Sequence, residues 1–349
     1  MSNDENFFFN KTVMITGGTG SIGSEVLRRL TLLNTKEIIV FSRDEYKQHQ
    51  LKFKHADIKN IKYIIGDIRD KESLISASKG VDILFHCAAL KHVPISEEMP
   101  EEFIKTNILG AINVQKAALE NKIPSVVSIS TDKVVNPSNV MGMTKAIQEK
   151  VFAAHSIDND NSTQKFVSVR FGNVIGTHGS LFPIFYHQIL NDIPVTVTES
   201  DMTRFFMSPD EAVDLIFWAA KSGRDGEIII RKMKSVKIVD VLDYFLKELK
   251  KGEDYPIKRI GIRPGEKKHE HLITAEELFR YREQGDYIIV SHYREKDLEK
   301  NTLTLSQTSK KLDLNEFYSD NQQNYMTKSE LKAYIDNYIK KANGAANYI

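Results

Sequence analysis

A single cysteine, Cys87, occurs in 349 residues. No internal disulfide can form, and the pattern fits a reducing compartment. The chain has no apolar run long enough to span a membrane. Phe7-Phe8-Phe9 is too short for that role and is expected to pack beside the first strand. The N-terminus lacks the basic start and long apolar core of a secretory signal. A cytoplasmic protein with no membrane partner is expected. Excess charge of either sign is also missing: Lys+Arg 48 against Asp+Glu 47 leaves +1, so no basic field argues for a nucleic-acid partner. Neither internal repeats nor a low-complexity tract occurs, and no metal is expected. Cys87 ends the apolar run Ile83-Leu84-Phe85-His86 and reads as a packed thiol, not a nucleophile. What is present is 41% hydrophobic and 27% charged residues, ordinary for a globular chain long enough for two lobes around a large core.

The N-terminal half alternates short buried strands with helical stretches, the signature of a doubly wound parallel sheet. Thr12 to Thr16 reads as the first strand, and a helix follows from about Ser24 to Leu33. Between them Gly17, Gly20 and Gly23 repeat every third residue, with Thr19, Ser21 and Ile22 interleaved. That spacing between a strand and a helix is a dinucleotide-binding turn. The helix N-terminus supplies N–H groups to the pyrophosphate. The second strand, Glu37 to Phe41, ends in Ser42-Arg43-Asp44-Glu45. An Arg at this position accommodates a 2′-phosphate and favours NADP, with NAD the alternative. The bland reading is a surface Arg43 paired with Asp44 or Glu45.

Asp67, at the exit of a third strand, is placed to meet the adenine, or else caps the helix starting near Lys71. The fourth strand ends in Ala88-Ala89-Leu90-Lys91-His92, whose alanines let backbone pass close to a cofactor while Lys91 and His92 point to the same cleft. Asn107 opens a long helix and is expected to brace the active-site strand. Ser125 to Ser130 reads as a buried strand leading to Thr131, Asp132 and Lys133. Lys145 returns toward them from the helix Thr144 to Ala153. A hydroxyl, a carboxylate and two amines therefore meet at the carboxyl edge of the sheet, where open α/β folds bind ligands. Short-chain dehydrogenases carry a Tyr four residues before this Lys; Met141 stands there instead, which leaves the adjacent pair Asp132 and Lys133 as the alternative acid and base.

Phe166 to Arg170 is a sixth strand, after which the alternation breaks. Val195 to Thr198 reads as a brief strand, Ser208-Pro209-Asp210-Glu211 as a helix start, and Met326 to Lys341 as an amphipathic helix. A basic segment, Lys258 to Lys268, is either a solvated loop or a clamp for a second diphosphate through Arg263.

Several segments resemble the nucleotide-sugar 4,6-dehydratases of the extended short-chain dehydrogenase/reductase superfamily, in particular UDP-N-acetylglucosamine 4,6-dehydratases of the inverting, capsule and flagellar-glycan type. They are Thr-Gly-Gly-Thr-Gly-Ser-Ile-Gly at 16–23, Ser-Arg-Asp-Glu at 42–45, Gly-Asp-Ile-Arg-Asp at 66–70 and Ala-Ala-Leu-Lys-His-Val at 88–93. Ser-Thr-Asp-Lys at 130–133, Met-Thr-Arg-Phe at 202–205 and Ile-Arg-Pro-Gly-Glu-Lys at 262–267 complete the set. The resemblance covers roughly residues 10 to 300. It implies a Rossmann domain from 1–172 with 206–234, a smaller α+β substrate domain from 173–205 with 235–349, and a homo-oligomer. For the cofactor it implies contacts from Gly17, Thr19, Gly20, Ser21, Ile22, Gly23, Ser42, Arg43, Asp67, Ile68, Ala88, Lys91, Asn107 and Lys145. For the UDP-sugar it implies Lys91, His92, Asn173, Arg204, Arg263 and Glu266. Thr131 would hold the sugar's 4-oxygen, Asp132 would act as acid at the 6-hydroxyl, and Lys133, its pKa lowered by burial and neighbouring cations, as base at carbon 5. Met141 takes the place of the usual Tyr. Two other readings remain: an epimerase or reductase acting on a 4-keto or 5,6-ene UDP-sugar, and a catalytically dead NADP-binding regulator.

Overall fold

The computed structural model describes residues 3–158, 163–252, 254–292 and 313–345. In chain order the strands are β1 (Thr12–Thr16), β2 (Glu37–Ser42), β3 (Ile61–Ile65), β4 (Ile83–His86), β5 (Ser125–Ile129), β6 (Lys165–Arg170) and β7 (Asn173–Val174), then β8 (Val195–Val197), β9 (Thr203–Met207), β10 (Ile228–Arg231), β11 (Lys234–Lys237), β12 (Ile257–Arg259), β13 (Tyr281–Gln284) and β14 (Tyr287–Val290). Nine of them form one sheet in the order β13-β14-β10-β6-β5-β4-β1-β2-β3. From β3 to β10 every pairing is parallel. The fold is α/β, a doubly wound Rossmann-type sheet, as the alternation of the N-terminal half predicts.

Both faces of the central strands β1, β4, β5 and β6 are buried, which is why they read as nearly continuous apolar runs. Period two still sorts them: Val13 and Ile15 of β1 face one core, and Met14 faces the other. The first core is shared with helices Ser21–Leu30 and Pro209–Ser222, the second with helices Lys71–Ala77, Gly110–Glu120 and Val140–Asp158. Phe8 lies fully buried against Phe85 and Phe217, whereas Phe9 is exposed. Cys87 packs on the first core, and burial pushes its thiol up to about 12, as expected of a packing residue.

Strands β10, β13 and β14 escaped the sequence reading. β10 is a short Ile-rich run directly after the helix Pro209–Ser222, and β14 pairs antiparallel to it through Ile288, Ile289 and Val290. The β13–β14 hairpin falls within 235–349, the stretch assigned from sequence to the smaller lobe, yet it extends the large sheet. Helix Pro209–Ser222 begins as its sequence predicts, with reciprocal Ser208 and Glu211 capping hydrogen bonds and Pro at its first turn.

The smaller lobe has a three-stranded sheet, β11-β9-β7, and the pair β12-β8 around a third core of Phe182, Phe185, Phe206 and Phe245. The helix Lys328–Ala345 closes that core with Leu331, Ile335 and Tyr338. Tyr334 also donates to Glu211 at 2.7 Å, tying the chain's last helix to the capping box of Pro209–Ser222.

Candidate active site

The glycine turn is built for close approach. Gly17 has φ +66°, and a β-carbon there would lie 2.7 Å from the Ala88 backbone. One on Gly23 would lie 2.4 Å from the Gly17 carbonyl, so the helix Ser21–Leu30 can only seat this near the strand with glycine at that position. Gly20 is the N-cap of that helix and offers no capping side chain, leaving first-turn N–H groups to an outside acceptor. These features fit a dinucleotide pyrophosphate. Ser21 Oγ lies 2.9 Å from Nδ1 of His178, a residue of the smaller lobe that the sequence reading passed over.

At the end of β2, Asp44 caps the next helix through the Lys47 N–H. Arg43 therefore does not pair tightly with Asp44; its side chain is about half exposed and lies 3.9 Å from Asp67. Asp67 takes hydrogen bonds from Arg69, which, against burial, hold its carboxyl below the ordinary range. The Ser42 hydroxyl is engaged by Gln48, which also reaches the carbonyls of Ser42 and Ile64. Ile68 packs into the second core, beneath Gly110. Asn107 sits in a π-helical turn, Ile104–Leu109. Its amide bonds both backbone groups of Leu90 and the Thr144 hydroxyl, so it braces the loop after β4 against the helix that carries Lys145.

Beyond the carboxyl ends of β4, β5 and β6 lies a cleft of about 660 Å³. Its walls include Ile22, Lys91, His92, Thr131, Lys133, Met141, Lys145, Asn173, Arg204, Arg263 and Glu266, eleven residues that the sequence singled out, and also Glu270, which it did not. Burial lowers Lys91, and burial together with Lys91 lowers His92.

The helix carrying Lys145 starts at Val140, earlier than its propensity suggests. Asn139 caps it by accepting from the Gly142 N–H at 2.7 Å. A β-carbon on Gly142 would lie 2.4 Å from the Lys133 carbonyl, so glycine is needed for the helix to pass the Asp132–Val134 turn. Met141 is buried beside the cleft, its N–H bonded to Ser96. Lys145 Nζ donates to Gln148 at 2.7 Å, and Gln148 in turn bonds Ser128 and Ile129 of β5. Burial pulls Lys145 down to about 8, with Glu149 opposing.

Asp132 is fully buried. Its Oδ1 accepts from the Thr131 hydroxyl and from Lys133 Nζ, each at 3.0 Å. Lys133 Nζ also lies 3.4 Å from Glu270 Oε1. Burial alone would lower the Lys133 pKa, but Asp132 and Glu270 outweigh it and hold the ammonium above the ordinary lysine range. This reverses the lowered value expected from the sequence, because the pull of the two carboxylates exceeds burial and the opposing charge of Arg204 together. Asp132 Oδ2 and Glu270 Oε2 are buried without a hydrogen-bond partner among the described residues.

Lys258 to Pro264 of the basic segment is largely exposed, whereas Gly265 to Lys268 is fastened to the rest of the fold. Asn139 and Ser138 both donate to the Gly265 carbonyl, at 2.8 and 2.9 Å, and Lys267 donates to the Val135 carbonyl. Arg204 donates to the carbonyls of Lys267, Lys268 and Thr203. Its guanidinium thereby shapes the segment from below. Arg263 remains half exposed, paired with Glu266 at 2.5 Å.

Behind the site, Arg170 is buried between Glu149 and Glu277, with a further bond to the Leu272 carbonyl. This triad joins β6, the Lys145 helix and the 3₁₀ turn Glu277–Phe279. The pair of carboxylates outweighs burial and raises Arg170 further; Arg170 in turn, against burial, holds Glu277 down at about 2. No described helix is long and apolar enough to cross a membrane.

The polysaccharide biosynthesis protein family matches residues 13–292. Over 293 residues the chain is 43% identical to an uncharacterized membrane protein, MJ1061, of Methanocaldococcus jannaschii, covering 82% of this chain and 88% of that one. Over 284 residues it is 43% identical to a UDP-glucose 4-epimerase of Rickettsia prowazekii, covering 80% and 82%. Among solved structures it is similar to Pen from Bacillus thuringiensis, with a TM-score of 0.85 and 36% identity over 95% of this chain and 98% of that one. A dTDP-glucose 4,6-dehydratase from Streptomyces venezuelae, DesIV, solved with NAD and TYD bound, shares the fold at TM-score 0.67 and 24% identity over 73% of this chain and 86% of that one. The chain belongs to the polysaccharide biosynthesis protein family.

Proposed function

We propose that this member of the polysaccharide biosynthesis protein family is a nucleotide-sugar 4,6-dehydratase that acts on UDP-N-acetylglucosamine, inverts carbon 5 and yields a UDP-4-keto-6-deoxy-N-acetylhexosamine for surface-glycan synthesis. The observation that carries the reading is the Thr131–Asp132–Lys133 cluster, in which Thr131 and Lys133 line the cleft and Asp132 lies buried directly behind them. Exchange of configuration at carbon 4 alone needs one group to move the hydroxyl proton. Loss of water needs a base at carbon 5 and an acid at carbon 6 as well, and adjacent Asp132 and Lys133 supply both kinds of group.

Gly17, Gly20, Ser21, Ile22 and Gly23 would hold the cofactor pyrophosphate, and half-exposed Arg43 would favour the 2′-phosphate of NADP. Bound there, a nicotinamide supplies reversible hydride transfer with the sugar. Lys145 orients its ribose, and Thr131 hydrogen-bonds the sugar's 4-oxygen. Arg263, released from Glu266, and Asn173 would take the UDP, while Lys91 and His92 face the sugar.

The 4-ketone acidifies the hydrogen on carbon 5. Lys133 first passes a proton to Asp132 across their 3.0 Å hydrogen bond. The Lys133 N–H bond breaks and an Asp132 O–H bond forms. Lys133 nitrogen then takes the carbon 5 proton, and the C–H electron pair becomes the carbon 5–carbon 6 double bond. The bond from carbon 6 to its hydroxyl breaks, and Asp132 gives its proton to the leaving oxygen as water. The hydride taken from carbon 4 would return to carbon 6 of the 5,6-ene, the proton held by Lys133 would exchange with solvent, and a solvent-derived proton would add to carbon 5 from the opposite face, giving the 4-keto-6-deoxy product.

A second reading, a UDP-sugar 4-epimerase, is favoured by the name of the 43% identical Rickettsia relative. Incubation with UDP-N-acetylglucosamine in deuterated water separates the two. A dehydratase gives a product lighter by one water with deuterium at carbon 5. An epimerase gives the carbon 4 epimer at unchanged mass.

A further inference from the structure

Glu270 enters the cleft from the smaller lobe and is 2% exposed. Its backbone is fixed on both sides: its N–H donates to Ser319 Oγ at 2.8 Å, and its carbonyl accepts from the Ser319 N–H. Ser319 Oγ is also 2.7 Å from Thr203 Oγ1. Such bracing holds a carboxylate in one place although only one of its oxygens is engaged. Oε1 lies 3.4 Å from Lys133 Nζ and 3.9 Å from Arg204 Nε, while Oε2 has no hydrogen-bond partner among the described residues. Its charge faces the buried cations Lys133 and Arg204, yet one oxygen is left without a partner, and burying an underused carboxylate is costly.

On the dehydratase reading, a role follows. Once Asp132 has taken a proton it is neutral and no longer offsets a charge on Lys133. The ammonium that forms as Lys133 takes the carbon 5 proton then faces Arg204 and Lys267, both cations, and one remaining carboxylate. We propose that Glu270 is the positioning residue that keeps Lys133 basic during this step, serving as the counter-charge that remains when Asp132 is protonated. It acts through Lys133 and touches neither the bond that breaks at carbon 6 nor the cofactor.

The groups facing Lys133 are Asp132, Glu270, Arg204 and Lys267. Of these only Glu270 is a carboxylate outside the proposed proton transfer, so its removal should lower the pH at which Lys133 titrates. The experiment compares Glu270→Gln with wild type in two ways. In substrate-free enzyme, ¹⁵N NMR of Lys133 Nζ, assigned with Lys133→Arg, gives its titration midpoint. With UDP-N-acetylglucosamine, kcat and KM are measured together. The expected result is a Lys133 midpoint moved to lower pH, kcat reduced ~10²-fold or more and KM little changed. An unmoved midpoint, or a kcat within threefold of wild type, overturns the proposal. Glu270→Asp and Glu270→Asn, of equal size and differing in charge, serve if Glu270→Gln does not fold, and Asp should retain more kcat than Asn. A wild-type enzyme without dehydratase activity would defeat the functional reading alone, because the NMR midpoint tests the coupling of Glu270 to Lys133 without turnover.

Discussion

The Asn139 side-chain amide donates at 2.8 Å to the carbonyl of Gly265 while its oxygen caps the helix that carries Lys145. One residue thus fastens the basic segment of the smaller lobe to the start of a helix in the larger one. Gly265 has φ +77°, and a β-carbon there would lie 2.8 Å from Asn139 Cβ. Gly265→Ala should therefore push the segment off Asn139 and cost about 1–3 kcal/mol of stability, with a rise in the Kd for UDP. Urea unfolding and UDP titration measure the two effects. Wild-type values for both would show that the two lobes meet without this contact.

Among the described residues the Arg43 guanidinium makes no contact shorter than 3.9 Å to a carboxylate, and it stays half exposed at the end of β2. Protein purified without added cofactor should release NADP. Arg43→Ala should lose about tenfold in its preference for NADP over NAD, as expected when one charge-assisted hydrogen bond to phosphate goes. Recovery of NAD alone from the wild type would overturn the assignment.

Arg263 lines the cleft half exposed, paired with Glu266, and could turn from it toward an anion. Arg263→Ala should weaken UDP binding by about 2 kcal/mol and leave folding stability nearly unchanged, since the pair it breaks is half exposed. Isothermal titration with UDP measures this. An unchanged dissociation constant would place the diphosphate elsewhere.

The Glu149–Arg170–Glu277 triad predicts a pH dependence. Glu277 sits near 2 in the folded chain against an ordinary 4.5, so its contribution is fully present above pH 4.5 and fades as pH falls toward 2. Glu277→Gln should cost about 3–5 kcal/mol at neutral pH, because it strips one partner from a buried guanidinium. Its deficit against wild type should narrow at pH 3. Equal unfolding free energies at pH 7 would show that Glu149 and the Leu272 carbonyl suffice for Arg170.

The strands β1 to β6 were legible because each is a short apolar run with a glycine, alanine or polar exit, and the glycine turn announced its own geometry. The cleft residues were legible where chemistry-bearing side chains stand at strand ends, as Thr131, Lys133 and Lys91 do. Glu270 was not. It lies in a run of Lys, His and Glu that reads locally as a solvated face, and only the Ser319 contacts, far away in sequence, turn it inward. The pKa of Lys133 was misjudged because adjacent Asp132 was read only as an acid and not as the counter-charge of Lys133, and because the second carboxylate, Glu270, comes from the other lobe. Strand β13 was hidden because Arg282, Glu283 and Gln284 break the apolar pattern on an edge strand, where polar residues are tolerated.

The central claim is that Asp132 and Lys133 carry the proton transfers and that Met141 stands beside them as packing. Its most direct test is the mass of the sugar nucleotide after incubating UDP-N-acetylglucosamine with wild type, Asp132→Asn, Lys133→Ala and Met141→Ala. The expected outcome is a product lighter by one water from wild type and from Met141→Ala, with the two acid–base variants slowed ~10²–10⁴-fold each. Near wild-type water loss from both Asp132→Asn and Lys133→Ala would contradict the account and move the search for the acid and base to Lys91 and His92.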